Sequence, residues 1–378
     1  MNSPAVAEQR EPVKRINLPM QGARGLFCIF VFVYHVYNSS LGTLPGLSSG
    51  VSNFLFRPLQ YGVELFFGLS GFFIVRMISR TPSVGHFAWD RITRIYPVLW
   101  LTILCVMAVS FAFKVPLPAK SGILLSFLTA PPFFTYHHVN PIAWTLDYEI
   151  FFYAYCAVCL MLRKQGRWLW PLLALPAIAT MLIFPRTTMM AIGAAIAWGL
   201  ADRPKLIAIA RYPGVALVAF LFGWHTLVLV GAGGVEHLMI AGQPLARACL
   251  LAVAVVLVSV IGGLALLGIS RGYGALSRIL SSRPLLYLGA ISYSFYLWHI
   301  IVMAGVKRLL IAKGLDQQIY SQALFLVCCL VISLAISTLS HRLIEVRLTG
   351  FLRNIASPKL RWLAGRTKDL NPFAYRET

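Results

Sequence analysis

The sequence predicts an all-α polytopic membrane protein, with about ten transmembrane helices, a short interfacial helix, and cytoplasmic N- and C-termini. Three observations carry this expectation. Of the 378 residues, 58% are hydrophobic and only 12% are charged, about half the charged share of a soluble domain. The apolar residues fall into long runs, each suited to a span of roughly 20 residues. The cations are also sorted. Counted from a cytoplasmic N-terminus, the inner segments hold 23 Lys and Arg and the outer segments 7, with Arg24, Arg247 and Arg342 in or near spans. That asymmetry follows the positive-inside rule. The net charge of +21 is therefore largely topological. It points to membrane lipid rather than nucleic acid, and leaves part of the basic inner face for an anionic ligand.

Residues 1–17 are polar and read as a cytoplasmic tail. A full span follows at about 20–38, so no cleavable signal peptide is expected. This first span contains Arg24 and His35, eleven residues apart. At 100° per residue they differ by only about 20° and share a face, about 16 Å apart along the axis. An ionisable side chain in a span costs roughly 2.5–3.5 kcal/mol on insertion scales and usually faces a cavity or a partner. The pair therefore reads as the lining of a slot joining the inner and outer halves of the membrane. His35 alone reads equally well as a hydrogen-bonded core histidine.

The second span, at about 61–79, carries Glu64 near the depth of His35, then Ser70 between Gly68 and Gly71. The small residues suit close helix packing or close approach of a ligand. The third, at about 95–113, begins after Arg91 and Arg94. Two guanidinium groups one turn apart can clamp a phosphate bidentately, or simply anchor the inner end of the span. The stretch 121–134 ends in Pro131-Pro132 and reads as an interfacial helix. The fourth span, at about 145–162, brings Asp147 and Glu149 into the outer half. With His35 at similar depth, these carboxylates offer the parts of a general-base site.

Spans five to eight, at about 168–184, 187–201, 211–231 and 245–268, carry little chemistry. The ninth, at about 286–306, places Tyr293, Tyr296 and His299 at i, i+3 and i+6, a polar stripe that suits packing or the lining of a slot. The tenth, at about 320–341, ends beside Arg342 and Glu345 at the inner face. Residues 18–347 thus form one transmembrane domain, followed by a basic cytoplasmic tail at 348–378. All seven cysteines lie in predicted spans, so neither a disulfide framework nor a metal site is expected. The outer segments 114–144 and 231–247, the second with Glu236, His237 and Arg247, are where contacts with a ligand from outside are expected.

Five local patterns now stand in order: Arg24-x10-His35; Phe66-Phe67-x-x-Ser70-Gly71; Arg91-x-x-Arg94; Trp144-x-Leu146-x-x-Glu149; and the run from Ser292 to His299. Together they resemble the membrane-bound acyltransferase-3 family, bacterial enzymes that O-acylate surface carbohydrates, over about residues 16–347. The chain is similar to the stand-alone form, without an appended SGNH-type esterase domain. The resemblance implies acyl-CoA, most often acetyl-CoA, as co-substrate on the cytoplasmic side, and an extracytoplasmic carbohydrate acceptor such as exopolysaccharide, O-antigen or a lipid-linked oligosaccharide. It implies the bacterial inner membrane as location. On that reading His35 is the general base or a transient acyl carrier, and Glu64 or Glu149 orients it. Arg24, Ser70, Arg91, Arg94, Tyr293, Tyr296, His299 and Arg342 bind the coenzyme, with Arg24, Ser70 or a tyrosine also facing the oxyanion. Self-association is left open. The competing reading is a proton-coupled transporter or exporter of a lipid or glycan, since intramembrane His, Glu and Arg also suit proton relays.

Overall fold

The computed structural model describes residues 17–355 apart from 40, 42–48, 79–80, 82, 163–169, 200–201, 231–243, 317 and 319. Of the expected tails at 1–17 and 348–378, residues 1–16 and 356–378 lie outside the described residues, as does the stretch with Glu236 and His237. Among the described residues there are helices and turns and no strand.

The helices are α1 (Leu18–Tyr37), α2 (Ser49–Phe56), α3 (Gly62–Ile78), α4 (Val84–Ala112), α5 (Lys120–Leu128), α6 (Trp144–Leu162), α7 (Trp170–Ile183), α8 (Thr188–Ala197), α9 (Pro204–Ile209), α10 (Pro213–Val230), α11 (Leu245–Ser270), α12 (Gly274–Leu280), α13 (Arg283–Ala312) and α14 (Ser321–Ser340). Each of the ten expected spans has its helix, and α5 is the short helix expected near 121–134. Seven helical stretches among the described residues are long and apolar enough to cross a membrane, including α3, α4, α6, α10, α11, α13 and α14. Gln21, Arg24 and His35 dilute the apolar content of α1. At the expected spans 168–184 and 187–201 the described residues give shorter helices, α7 with 14 residues and α8 with 10, about 21 and 15 Å against a 30 Å hydrocarbon core. The break between them falls where the two expected spans part, at 185–186. Pro185 opens a 3-10 turn that draws Arg186 into the protein interior.

Local chemistry sets the ends and the packing. Asn17 caps α1 by accepting from the Met20 N–H, and Pro19 sits in the first turn. α1 and α13 run parallel: Gln21 meets Gly289, Cys28 meets Ser292, Phe32 meets Phe295 and His35 meets His299. The first and ninth spans of an alternating bundle must run in the same direction, as these do. α3 lies on α8 through glycines. A Cβ on Gly71 would sit 2.0 Å from the Met190 carbonyl oxygen, and one on Gly193 would sit 1.9 Å from that of Gly68. The apolar side chains left outside, such as Phe111, Val215 and Leu250, form a surface suited to lipid.

The last helix passes the boundary expected after residue 347. It continues through a π-helical segment, His341–Leu348, to Ile355, and locks onto the inner end of α4. Pro97 within α4 has no N–H for the Thr93 carbonyl. Thr349 fills that gap, its Oγ1 donating to Thr93 O at 2.9 Å. Trp89 Nε1 donates to Leu352 O at 3.3 Å, and Arg353 pairs with Asp90 at 2.9 Å.

Candidate active site

A cavity of about 310 Å³ opens between α1, α3, α4, α6 and α13, at the lower end of the size range of ligand pockets. Its polar lining is Gln21 and Arg24 from α1, Ser70 from α3, Arg91 and Arg94 from α4, Thr145, Glu149 and Tyr153 from α6, and Ser292, Tyr293 and Tyr296 from α13. Helical spacing explains the set. Thr145, Glu149 and Tyr153 form one i, i+4 row, and Arg91 and Arg94 share a face one turn apart. Seven residues expected from sequence thus meet in one place: Arg24, Ser70, Arg91, Arg94, Glu149, Tyr293 and Tyr296.

Hydrogen bonds hold the lining in register. Ser70 Oγ donates to Glu149 Oε1 at 3.1 Å, and the Tyr153 hydroxyl donates to the same oxygen. Tyr293 donates to the Ile95 carbonyl at 2.6 Å. The Tyr296 hydroxyl donates to Ile142 O at 3.3 Å and accepts from Thr145 Oγ1 at 3.0 Å. At the inner mouth, the Arg91 guanidinium lies over the Tyr153 ring at 5.7 Å. It is only loosely paired with Asp90, at 3.6 Å. Asp90 is engaged more closely by Arg353, and Arg91 Nε is buried without a hydrogen-bond partner. This set of donors and cations fits an anion such as a phosphate.

The glycines and the serine of the second span divide their tasks. Gly68 and Gly71 pack against α8, as the distances above require, while Ser70 faces the cavity.

His35 and His299 lie outside the cavity lining but next to it. Tyr296 links the two: it lines the cavity, with its ring 6.3 Å from Phe66 and 5.9 Å from His299. The two histidine rings are 5.4 Å apart. His35 also meets Tyr34 at 5.1 Å. The two carboxylates expected to orient His35 have other partners. Glu149 takes its bonds from Ser70 and Tyr153, whereas Glu64, 1% exposed, pairs with Arg186 at 3.3 Å. The Arg186 guanidinium in turn covers Trp144 at 4.7 Å. Asp147 sits on the face of α6 away from the cavity, bonded to Tyr136 at 2.9 Å and to His138 at 2.9 Å.

Arg342 does not line the cavity. It is exposed on the π-helical segment, and Glu345 is the residue that this segment turns inward, toward Ser294 and His341. The expectation for Arg342 rests on its level at the end of the last span, beside Arg91 and Arg94, which does not fix the direction of its side chain. Sequence reasoning also missed Gln21, Thr145 and Tyr153 as lining residues, and Arg186 and Asp90 as their neighbours. The i, i+4 row around Glu149 would have found Thr145 and Tyr153. Arg186 carries no local signal, because its partner is 122 positions away.

Comparison with known proteins agrees with this geometry. A family model described as an acyltransferase domain matches residues 18–342. The exopolysaccharide production protein ExoZ of Rhizobium meliloti (strain 1021) is 30% identical over 282 residues, covering 67% of this chain and 80% of that protein. No solved structure matches. With the matched region spanning the whole helical bundle that builds the cavity, the chain is a member of the acyltransferase-3 family and a multi-pass membrane acyltransferase.

Proposed function

We propose that this protein is an O-acyltransferase of the bacterial inner membrane. It moves an acyl group, most simply acetyl, from acyl-CoA on the cytoplasmic side to a hydroxyl of an extracytoplasmic carbohydrate. The observation that carries the reading is the meeting of Arg24, Arg91 and Arg94 with Ser70, Glu149, Tyr293 and Tyr296 around one cavity. Coenzyme A has phosphates at one end and a thin thioester arm at the other. The inner arginines suit the phosphates, and the lining from Ser70, Glu149 and Tyr296 leaves the arm its place. The relative's part in exopolysaccharide production supports a polysaccharide, or its lipid-linked precursor, as acceptor.

On this reading Arg24 serves the coenzyme, since it lies about 16 Å from His35 along the helix. Tyr296 swings aside to admit the thioester to His35. The histidine takes the proton of the acceptor hydroxyl as that oxygen attacks the acyl carbon, and the leaving thiolate receives the proton. Tyr296, whose ring packs against His299, stabilises the oxyanion once its hydroxyl leaves the Ile142 carbonyl. Glu149 sets the position of Ser70 and Tyr153 along the arm.

The test is transfer of radiolabelled acetyl from acetyl-CoA by purified protein in nanodiscs, with a glycan extract of the source organism as acceptor. Label in glycan with the wild type, lost in His35→Ala and in Arg91→Ala/Arg94→Ala of unchanged melting temperature, is the expected result. Full transfer by His35→Ala would overturn the assigned base. No transfer from acetyl-CoA or succinyl-CoA, together with proton-driven glycan export, would replace the enzyme by a transporter.

A further inference from the structure

His299 is 1% exposed and has its two ring nitrogens in opposite situations. Nδ1 lies 3.1 Å from the Phe295 carbonyl oxygen. A carbonyl can only accept, so Nδ1 carries the hydrogen. In the neutral ring Nε2 is then a lone-pair acceptor. That nitrogen is buried and has no hydrogen-bond partner. Its surroundings are aromatic: Phe32 at 6.3 Å, Phe295 stacked at 6.1 Å and Tyr296 at 5.9 Å between ring centres. An orphaned buried acceptor is costly and calls for an explanation. The neighbour with a donor to offer is His35, 5.4 Å away between ring centres. Two imidazoles at that separation, turned edge to edge, bring facing nitrogens to about 3 Å, which is hydrogen-bond distance. Catalytic hydrogen bonds are often open in the free enzyme and close with substrate bound.

We infer that His299 is the positioning residue of His35: its Nε2 accepts the N–H of His35 and so turns the other His35 nitrogen, unprotonated, toward the acceptor hydroxyl. This rests on the proposed role of His35 as base. It assigns to a second histidine the orienting part that carboxylates play in other catalytic sites. The proton balance is simple. The acceptor hydroxyl gives its proton to His35, the new C–O bond forms as the C–S bond breaks, and His35 returns the proton to the thiolate. His299 keeps its own proton on Nδ1 throughout, held by Phe295. When His35 is charged, its N–H bond to His299 becomes charge-assisted and strengthens, so the pair serves the transition state more than the ground state.

The experiment compares His299→Phe, His299→Gln and His35→Ala in the acetyl-CoA transfer assay, with melting temperature as a check on folding. Phenylalanine keeps the aromatic packing without an acceptor, and glutamine restores an acceptor. The expected result for His299→Phe is a kcat about 100-fold below wild type, with KM for acetyl-CoA within twofold. His299→Gln should return to within about tenfold of wild type. If His299→Phe keeps wild-type kcat while His35→Ala is inactive, the inference is wrong and the proposed function stands. If the Phe and Gln variants are equally impaired, His299 only packs, and the inference is again wrong. If His35→Ala is active, the proposed base itself fails. Should His299→Phe not fold, His299→Leu takes its place against His299→Gln.

Discussion

Replacing Gly71 by alanine reaches the active site without touching it. The added Cβ would fall 2.0 Å from the Met190 carbonyl oxygen and 2.9 Å from the Ala194 nitrogen, both backbone atoms of α8. Carbon and oxygen that are not bonded do not approach within about 3 Å, so α3 and α8 must part by about 1 Å. Overpacking of this kind costs about 1–3 kcal/mol. The neighbouring residue on α3 is Ser70, whose bond to Glu149 is 3.1 Å long. A shift of about 1 Å takes it beyond hydrogen-bond distance. Misplacement by that amount lowers turnover by about 100-fold in well-organised sites. The assay pairs a thermal melt in detergent with acetyl transfer in nanodiscs, and Gly305→Ala is the control, because nothing lies within 4 Å of its added Cβ. Gly71→Ala should melt several degrees lower and lose most of its turnover, while Gly305→Ala behaves as wild type. Wild-type melting and transfer within twofold for Gly71→Ala would refute the claim that helix contact through glycine sets the site.

Further outcomes follow from the same geometry. Arg91→Ala and Arg94→Ala should each raise KM for acetyl-CoA by about 10- to 100-fold, as lost charged hydrogen bonds of about 1.5–3 kcal/mol require, with kcat less affected in steady-state kinetics. Tyr153→Phe removes one of the two donors to Glu149 and should lower kcat by about tenfold, measured in the same assay. Thr349→Val leaves the Thr93 carbonyl, freed by Pro97, without its partner and should destabilise the protein by about 1–3 kcal/mol. In a Pro97→Ala background, where an N–H returns to that carbonyl, the same change should be nearly neutral in a double-mutant melt.

Much of the bundle is legible in the sequence because lipid imposes a simple rule: apolar runs become helices, and cations stay inside. A helix lies at each of the ten places it marks, and the gap at 185–186 falls at the turn that Pro185 opens. Among the described residues α7 and α8 are nevertheless shorter than a full span. At the site, helical periodicity is a reliable guide within one helix. It puts Arg24 and His35 on one face and Arg91 beside Arg94. It is silent about neighbouring helices, and so gives no sign that Tyr296 lines the cavity while His35 and His299 do not. Pairings across the bundle, such as Glu64 with Arg186, depend on packing and leave no local mark. The expectation for Arg342 fails for another reason. It rests on the level of Arg342 at the end of the last span, and level alone does not say which way a side chain points; on the π-helical segment Arg342 is exposed and Glu345 turns inward.

The most direct test of the account is the sidedness of the reaction. The protein is reconstituted in proteoliposomes with known orientation, radiolabelled acetyl-CoA is confined to the side of the Arg91 and Arg94 mouth, and the glycan acceptor is supplied on the opposite side. The account predicts label on the glycan across the membrane, absent in His35→Ala. Label appearing only when donor and acceptor share one side would contradict it.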